Sequence, residues 1–170
     1  MSIVTKTGDK SRTCLYRGPK LFKDHLRFEI CGSIDELSAF LGLSVLRVKS
    51  IADKKILDSI LRDLFFISTE AATEAKYLKL LKKRVGREEV DKLEKYIGKL
   101  EKNKKIKCSC FVFGFKTSCG SYLNIARTIA RRTERRIVSA LKKKMIKNKY
   151  LILYINRLSD LLFLIACKYQ

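Results

Sequence analysis

The sequence predicts an all-α protein, an up-and-down five-helix bundle behind an irregular N-terminal segment. Three observations predict it. Apolar residues recur every three or four positions through most of the chain after residue 32. One proline and eight glycines leave little material for the frequent tight turns of a β-sandwich. Hydrophobic residues make up 46% of 170 positions, enough for one sizeable core, which argues against disorder despite 32% charged residues. The expected organisation is a single domain over 1–170, with a loop segment over 1–31 and the helical bundle over 32–170.

Each element has its own local reason. Residues 1–31 hold Gly8, Gly18 and Pro19 and mix charges without a helical period. Ser33-Ile34-Asp35-Glu36 reads as a capping box, with Ser33 at the N-cap and Glu36 three residues on. The helix it opens carries Leu37, Phe40 and Leu41 and runs to about Lys49. Ile56, Ile60, Leu64, Ile67 and Ala71 mark a second helix, reaching toward 79–84. Gly86 precedes a third, with Glu88 and Glu89 in its first turn, where carboxylates suit the helix dipole. Phe111 to Phe115 is too short and too β-prone for a helix and reads as an extended loop. Thr117 or Ser118 caps the fourth helix, which runs to about Lys144. Tyr150 to Lys168 forms a fifth helix, apolar on nearly all sides, and such a helix is buried centrally or against another subunit.

Charge narrows the classes of partner. The 38 Lys and Arg outweigh 17 Asp and Glu, a net charge of +21. Nucleic acid, phosphorylated metabolites and acidic membrane surfaces are the anions to consider. No apolar run reaches the roughly 18 residues of a membrane span, and no secretory leader is visible, so a cytoplasmic location without membrane association is expected. The six cysteines are then reduced and buried. No C-x-x-C pair occurs and His25 is the only histidine, so no metal site is expected.

Four groups of residues could carry chemistry. Thr5-Lys6-Thr7-Gly8-Asp9-Lys10, continuing to Thr13, suits a loop that wraps phosphates, although it lacks the Walker A pattern and reads equally well as a solvated arm. Arg127, Arg131, Glu134 and Arg135 share one helical face. Guanidiniums so close repel unless anions or carboxylates sit among them, and their planar forks suit phosphate oxygens. A solvated basic face, or one lying on a nucleic-acid backbone, is the competing reading. Asn156, Ser159, Asp160 and Phe163 line one face of the most apolar helix, either as a buried network fixing register or as a ligand-reading edge in which Asp160 pairs with an arginine. Asp35 is either a helix N-terminal acid or a carboxylate anchoring an arginine across an interface.

Taken together and in this order, these segments resemble the PduO-type ATP:cob(I)alamin adenosyltransferases. The anchors are Thr5 to Lys10, Gly32-Ser33-Ile34-Asp35-Glu36-Leu37, Ala126-Arg127-Thr128 through Arg131-Arg132-Thr133-Glu134-Arg135, and Asn156-Arg157-Leu158-Ser159-Asp160. The resemblance implies a ferritin-like five-helix bundle assembled as a homotrimer, with active sites between subunits. It implies transfer of the 5′-deoxyadenosyl group of ATP, bound with Mg²⁺, to the Co(I) of a corrinoid, with release of triphosphate. Nucleotide contacts would be Thr5, Lys6, Thr7, Gly8, Thr13, Cys14, Lys23, Arg131, Arg132, Glu134, Arg135 and Asn156. Arg127 would pair with Asp35 across the interface, Phe111 would lie beneath the corrinoid ring, and an unidentified reductase would supply electrons. The chain departs from the family pattern at Ser11, at Gly114-Phe115-Lys116 and at Asn124, where glycine, a proline with two glycines, and histidine are usual. The alternatives are a basic helical nucleic-acid-binding protein, which the positions of Asp35 and Asn156 do not favour, and a helical scaffold.

Overall fold

The computed structural model describes residues 4, 6, 8–104, 106, 112 and 114–170. It is mostly helical, and the N-terminal segment is more ordered than its sequence suggests. Strands β1 (Arg12–Cys14) and β2 (Lys20–Phe22) pair antiparallel, with Thr13 opposite Leu21. Leu15 N donates to Pro19 O across the turn at 3.3 Å. Each strand is three residues long with mostly exposed side chains, so no apolar alternation marks it in the sequence. Backbone bonds moor the hairpin to the chain after the second helix: Arg17 N donates to Ala72 O at 3.4 Å, and Glu74 N donates to Arg17 O at 2.8 Å.

Helix α1 spans Leu26–Arg47, and its N-cap is His25, whose Nδ1 accepts from Arg27 N at 3.3 Å. The expected cap at Ser33 is therefore wrong. Ser33 is buried inside the helix, and its Oγ donates back to Glu29 O at 2.7 Å, the bond a mid-helix serine makes. Asp35 consequently sits mid-helix rather than in a first turn. The Ser-x-x-Glu spacing arises because Ser33 faces the fourth helix while Glu36 pairs with that helix's Arg132.

Helix α2 (Ile51–Ala71), capped by Ser50, stops short of the expected 79–84. The moored hairpin takes Ala72 O and Glu74 N, so the helical ladder cannot continue, and only a 3-10 turn (Ala75–Leu80) follows. Helix α3 (Arg87–Glu101) begins where expected, with Glu89 Oε2 accepting from Gly86 N at 2.9 Å. Thr117 caps α4 (Ser118–Lys142) through a 3.0 Å bond from Gly120 N. A Cβ on Gly120 would come within 3.0 Å of the Phe115 side chain, so glycine is what lets the incoming loop lie on this helix. Helix α4 ends two residues before the expected Lys144, which takes a left-handed φ of 56° as the chain turns away.

Helix α5 occupies the expected Tyr150–Lys168. By length and composition alone it could cross a membrane, contrary to the expectation that no run is long enough. Its packing shows instead a core helix: Leu151, Tyr154, Ile155, Leu158, Leu161, Leu162 and Ile165 are all wholly buried. In the packing order, α4 lies between α1 and α5, α2 covers α1, and α3 covers α5. Arg27, itself buried, ties the ends of this arrangement together, donating to Ala71 O at 2.6 Å, to Thr73 O at 2.9 Å and to Met145 O.

Candidate active site

A cleft of about 620 Å³ opens between α3, α4 and α5. Arg127 and Arg131 of α4 line one wall, Glu94 and Glu101 of α3 another, and Arg157, Ser159, Asp160 and Phe163 of α5 complete it. Arg127 is half-buried, and its Nε donates to Asn124 Oδ1 at 2.9 Å. Burial lowers its pKa, and the neighbouring Arg131 lowers it further. A partly desolvated guanidinium held by a neutral amide beside a second guanidinium is a site prepared for an anion. Asp160 shares the cleft without a direct ion pair among the described residues. Burial pushes its carboxyl up, against the pull of Arg157 and Arg131.

The remaining site residues of α4 and α5 are joined by hydrogen bonds. Asn156 Nδ2 donates to Glu134 Oε1 at 3.1 Å, Arg157 Nη1 donates to Asn156 Oδ1 at 3.0 Å, and Arg157 Nε donates to Glu94 Oε1 at 2.9 Å. Arg135 is exposed one turn beyond Arg131. Arg132 is not brought to this cleft. It turns to the α1 flank and pairs with Glu36, while its Nε is buried without a partner. Arg136 takes the same flank, 2.5 Å from Glu29 Oε2.

The described N-terminal residues lie elsewhere on the chain, beside the hairpin moored to α2. Lys23 packs over Gly8, its Nζ 3.1 Å from where a Cβ would stand, so a side chain at position 8 would displace the lysine. Thr13 and the exposed Cys14 belong to β1, and Lys6 adopts a left-handed φ of 56°. Ser11, where the resemblance expects glycine, has the same φ of 56°. Thr5, Thr7 and Phe111 lie outside the described residues. Asp35 is exposed on the α1–α2 flank, lining a shallow cleft with Leu61, Phe65 and Ser68, whereas Arg127 faces α3 and α5. Within one protomer, the arginine face and the N-terminal loop thus occupy different sides.

Nothing in the sequence singles out Glu94 or the contact that Arg157 makes with it, and Asn124 stands there only as a departure from the family pattern. Arg157 stands within the Asn156–Asp160 segment, but no local spacing links it to Glu94 on another helix. Among the described residues, no group of three or more His, Cys, Asp or Glu side chains could hold a metal ion.

The family model described as cobalamin adenosyltransferase matches residues 3–169. A corrinoid adenosyltransferase of Bacillus subtilis is 37% identical over 172 residues, covering 98% of this chain and 85% of the relative. One from Citrobacter freundii is 34% identical over 165 residues, covering 96% and 92%. The chain spans about half the length of another relative, corrinoid adenosyltransferase PduO of Citrobacter freundii, at 36% identity, covering 98% of this chain and 49% of that protein. Among solved structures, a variant PduO-type ATP:corrinoid adenosyltransferase from Lactobacillus reuteri complexed with ATP superposes with a TM-score of 0.86 at 30% identity, covering 98% of this chain and 93% of that one. A second variant of that enzyme, complexed with cobalamin and ATP, gives 0.85 over 97% and 91%. A family match over residues 3–169, joined to relatives of 34–37% identity along nearly all of this chain, means that the chain belongs to the cobalamin adenosyltransferase family.

Proposed function

We propose that this chain transfers the 5′-deoxyadenosyl group of ATP to the Co(I) of a corrinoid, forming adenosylcobalamin and releasing triphosphate. The observation that carries the reading is Arg127, partly desolvated in a cleft beside the exposed Arg131, the two held by no direct carboxylate partner among the described residues. The family match and the ATP- and cobalamin-bound structural relatives support it.

The reaction needs little from protein nucleophiles. Co(I) attacks the 5′ carbon, the Co–C bond forms as the C–O bond breaks, and triphosphate leaves with the electron pair. The protein must position that carbon and stabilise the charge gathering on the leaving group. Lys6, Gly8, Thr13, Cys14 and Lys23, with Thr5 and Thr7, would supply the loop side of the nucleotide site. Arg131, Glu134, Arg135 and Asn156 of a neighbouring copy would supply the helical side. Arg132 would reach the nucleotide only by leaving Glu36. The separation of loop and arginines within one protomer supports a homotrimer with sites between copies, in which Asp35 of one copy meets Arg127 of the next. Mg²⁺ would be held chiefly by triphosphate oxygens, which suits a site with no acidic cluster among the described residues. Phe111 would wall off the corrinoid's axial position, leaving cobalt easier to reduce by a separate reductase. The unbridged thiols of Cys14, Cys31 and Cys119 suit a reducing cytoplasm.

The test mixes protein, MgATP and chemically reduced cobalamin and follows the visible spectrum. Appearance of the adenosylated spectrum at a rate proportional to protein is expected. No conversion, with Co(I) demonstrably present, overturns the reading.

A further inference from the structure

We propose that Glu94 and Arg157 are positioning residues that lock the Asn156 carboxamide in one orientation, so that it meets the nucleotide as a hydrogen-bond donor; this rests on the ATP site proposed above. The chain of contacts runs across three helices. Glu94 Oε1 on α3 accepts from Arg157 Nε at 2.9 Å, Asn156 Oδ1 on α5 accepts from Arg157 Nη1 at 3.0 Å, and Asn156 Nδ2 donates to Glu134 Oε1 on α4 at 3.1 Å. A guanidinium has no acceptor and a carboxylate has no donor, so the flanking groups decide the amide's orientation. Its oxygen must face Arg157 and its nitrogen must face Glu134. A flip would set like against like at both ends and lose both bonds.

With the oxygen engaged and one N–H on Glu134, the second N–H remains to be offered. The complementary group on a nucleotide is an acceptor: a ring nitrogen, a hydroxyl or a phosphate oxygen. Stability alone is a poor reason for the outer pair, because Arg157 and Glu94 side chains are 38% and 41% exposed, and such pairs contribute little to folding. Both nevertheless line the cleft that holds Arg127 and Arg131. The two bonds leave Arg157 from different nitrogens, a fork that lysine cannot reproduce.

The test measures MgATP binding by calorimetry and steady-state kinetics on purified variants. Arg157→Met is expected to raise the KM for ATP roughly tenfold while leaving kcat at saturating ATP within about twofold. Asn156→Ala should do the same, and the double variant should be no worse than Asn156→Ala alone. Glu94→Gln, which keeps the acceptor, should stay within about twofold of the parent, whereas Glu94→Leu should follow Arg157→Met. Multiplying effects in the double variant, or an unchanged KM in Arg157→Met, overturns the proposal while the ATP site stands. A parent that binds no MgATP overturns both. Should Arg157→Met fail to fold, the contrast between Glu94→Gln and Glu94→Leu decides.

Discussion

Lys168 Nζ lies 2.6 Å from Asp53 Oδ2, a carboxylate with no solvent exposure. The Tyr169 hydroxyl donates to the same oxygen at 2.8 Å, and the Tyr96 hydroxyl to Oδ1 at 2.7 Å. One buried acid thereby joins the start of α2, the middle of α3 and the end of α5. Asp53→Ala takes the acceptor from the Tyr96 and Tyr169 hydroxyls, while the Tyr169 oxygen keeps its 2.9 Å bond from Ser50 N and the exposed Lys168 ammonium returns to water. Losing hydrogen bonds to a charged acceptor costs about 1.5–3 kcal/mol, and urea unfolding of the variant should show a loss of that size.

Arg131→Ala removes a charge-assisted donor from the proposed triphosphate cleft. The expected loss is about 1.5–3 kcal/mol, roughly ten- to a hundredfold in MgATP affinity by titration calorimetry. Parental affinity in this variant would mean that the nucleotide lies elsewhere.

Asp63 is nearly buried and accepts from the Tyr154 hydroxyl at 3.0 Å. Burial raises its pKa, and Tyr154 and the charge of Lys83 only partly counter that. The folded chain therefore holds this proton more tightly than the unfolded chain. Its contribution to stability is fully present below the ordinary carboxylate pKa of about 3.9 and is lost as pH rises through the folded value. Asp63→Asn cannot ionise, so its stability relative to the parent should improve as pH climbs from about 3 to neutrality. A stability difference independent of pH would refute this.

Ser11 and Lys144 both sit at φ 56°, where a Cβ is penalised. Ser11→Gly and Lys144→Gly should each stabilise the protein by about 0.5–1 kcal/mol, partly offset by glycine's greater freedom when unfolded. Thermal melts read the change. A fall in Tm for both variants would show that other contacts hold these turns.

The parts of the fold written locally were legible. Glu89 three residues after Gly86, Thr117 before a long periodic stretch, and the apolar run from Tyr150 each announced a helix. The start of α1 was not legible, because Ser33 and Glu36 copy a cap while facing the neighbouring α4. The hairpin was hidden because three-residue strands with mostly exposed side chains have no pattern to read. At the site, the spacing of Arg127 and Arg131 puts both on the flank of α4 that lines the cleft. It could not show that Arg132 prefers Glu36, or that Arg157 reaches Glu94, since both partners come from distant sequence.

Arg131 and Arg132 leave α4 toward opposite flanks, one for the cleft and one for α1. Successive residues on a helix point about 100° apart, so the two duties are separated by a single position. An inserted residue in the first half of α4 would turn Arg131 onto the α1 flank and Arg132 toward the buried position of Thr133, and a deleted one would turn Arg132 into the cleft and Arg131 toward the buried position of Ala130. Length changes in this lineage should therefore collect in the connection before Thr117, while α4 itself diverges by substitution alone.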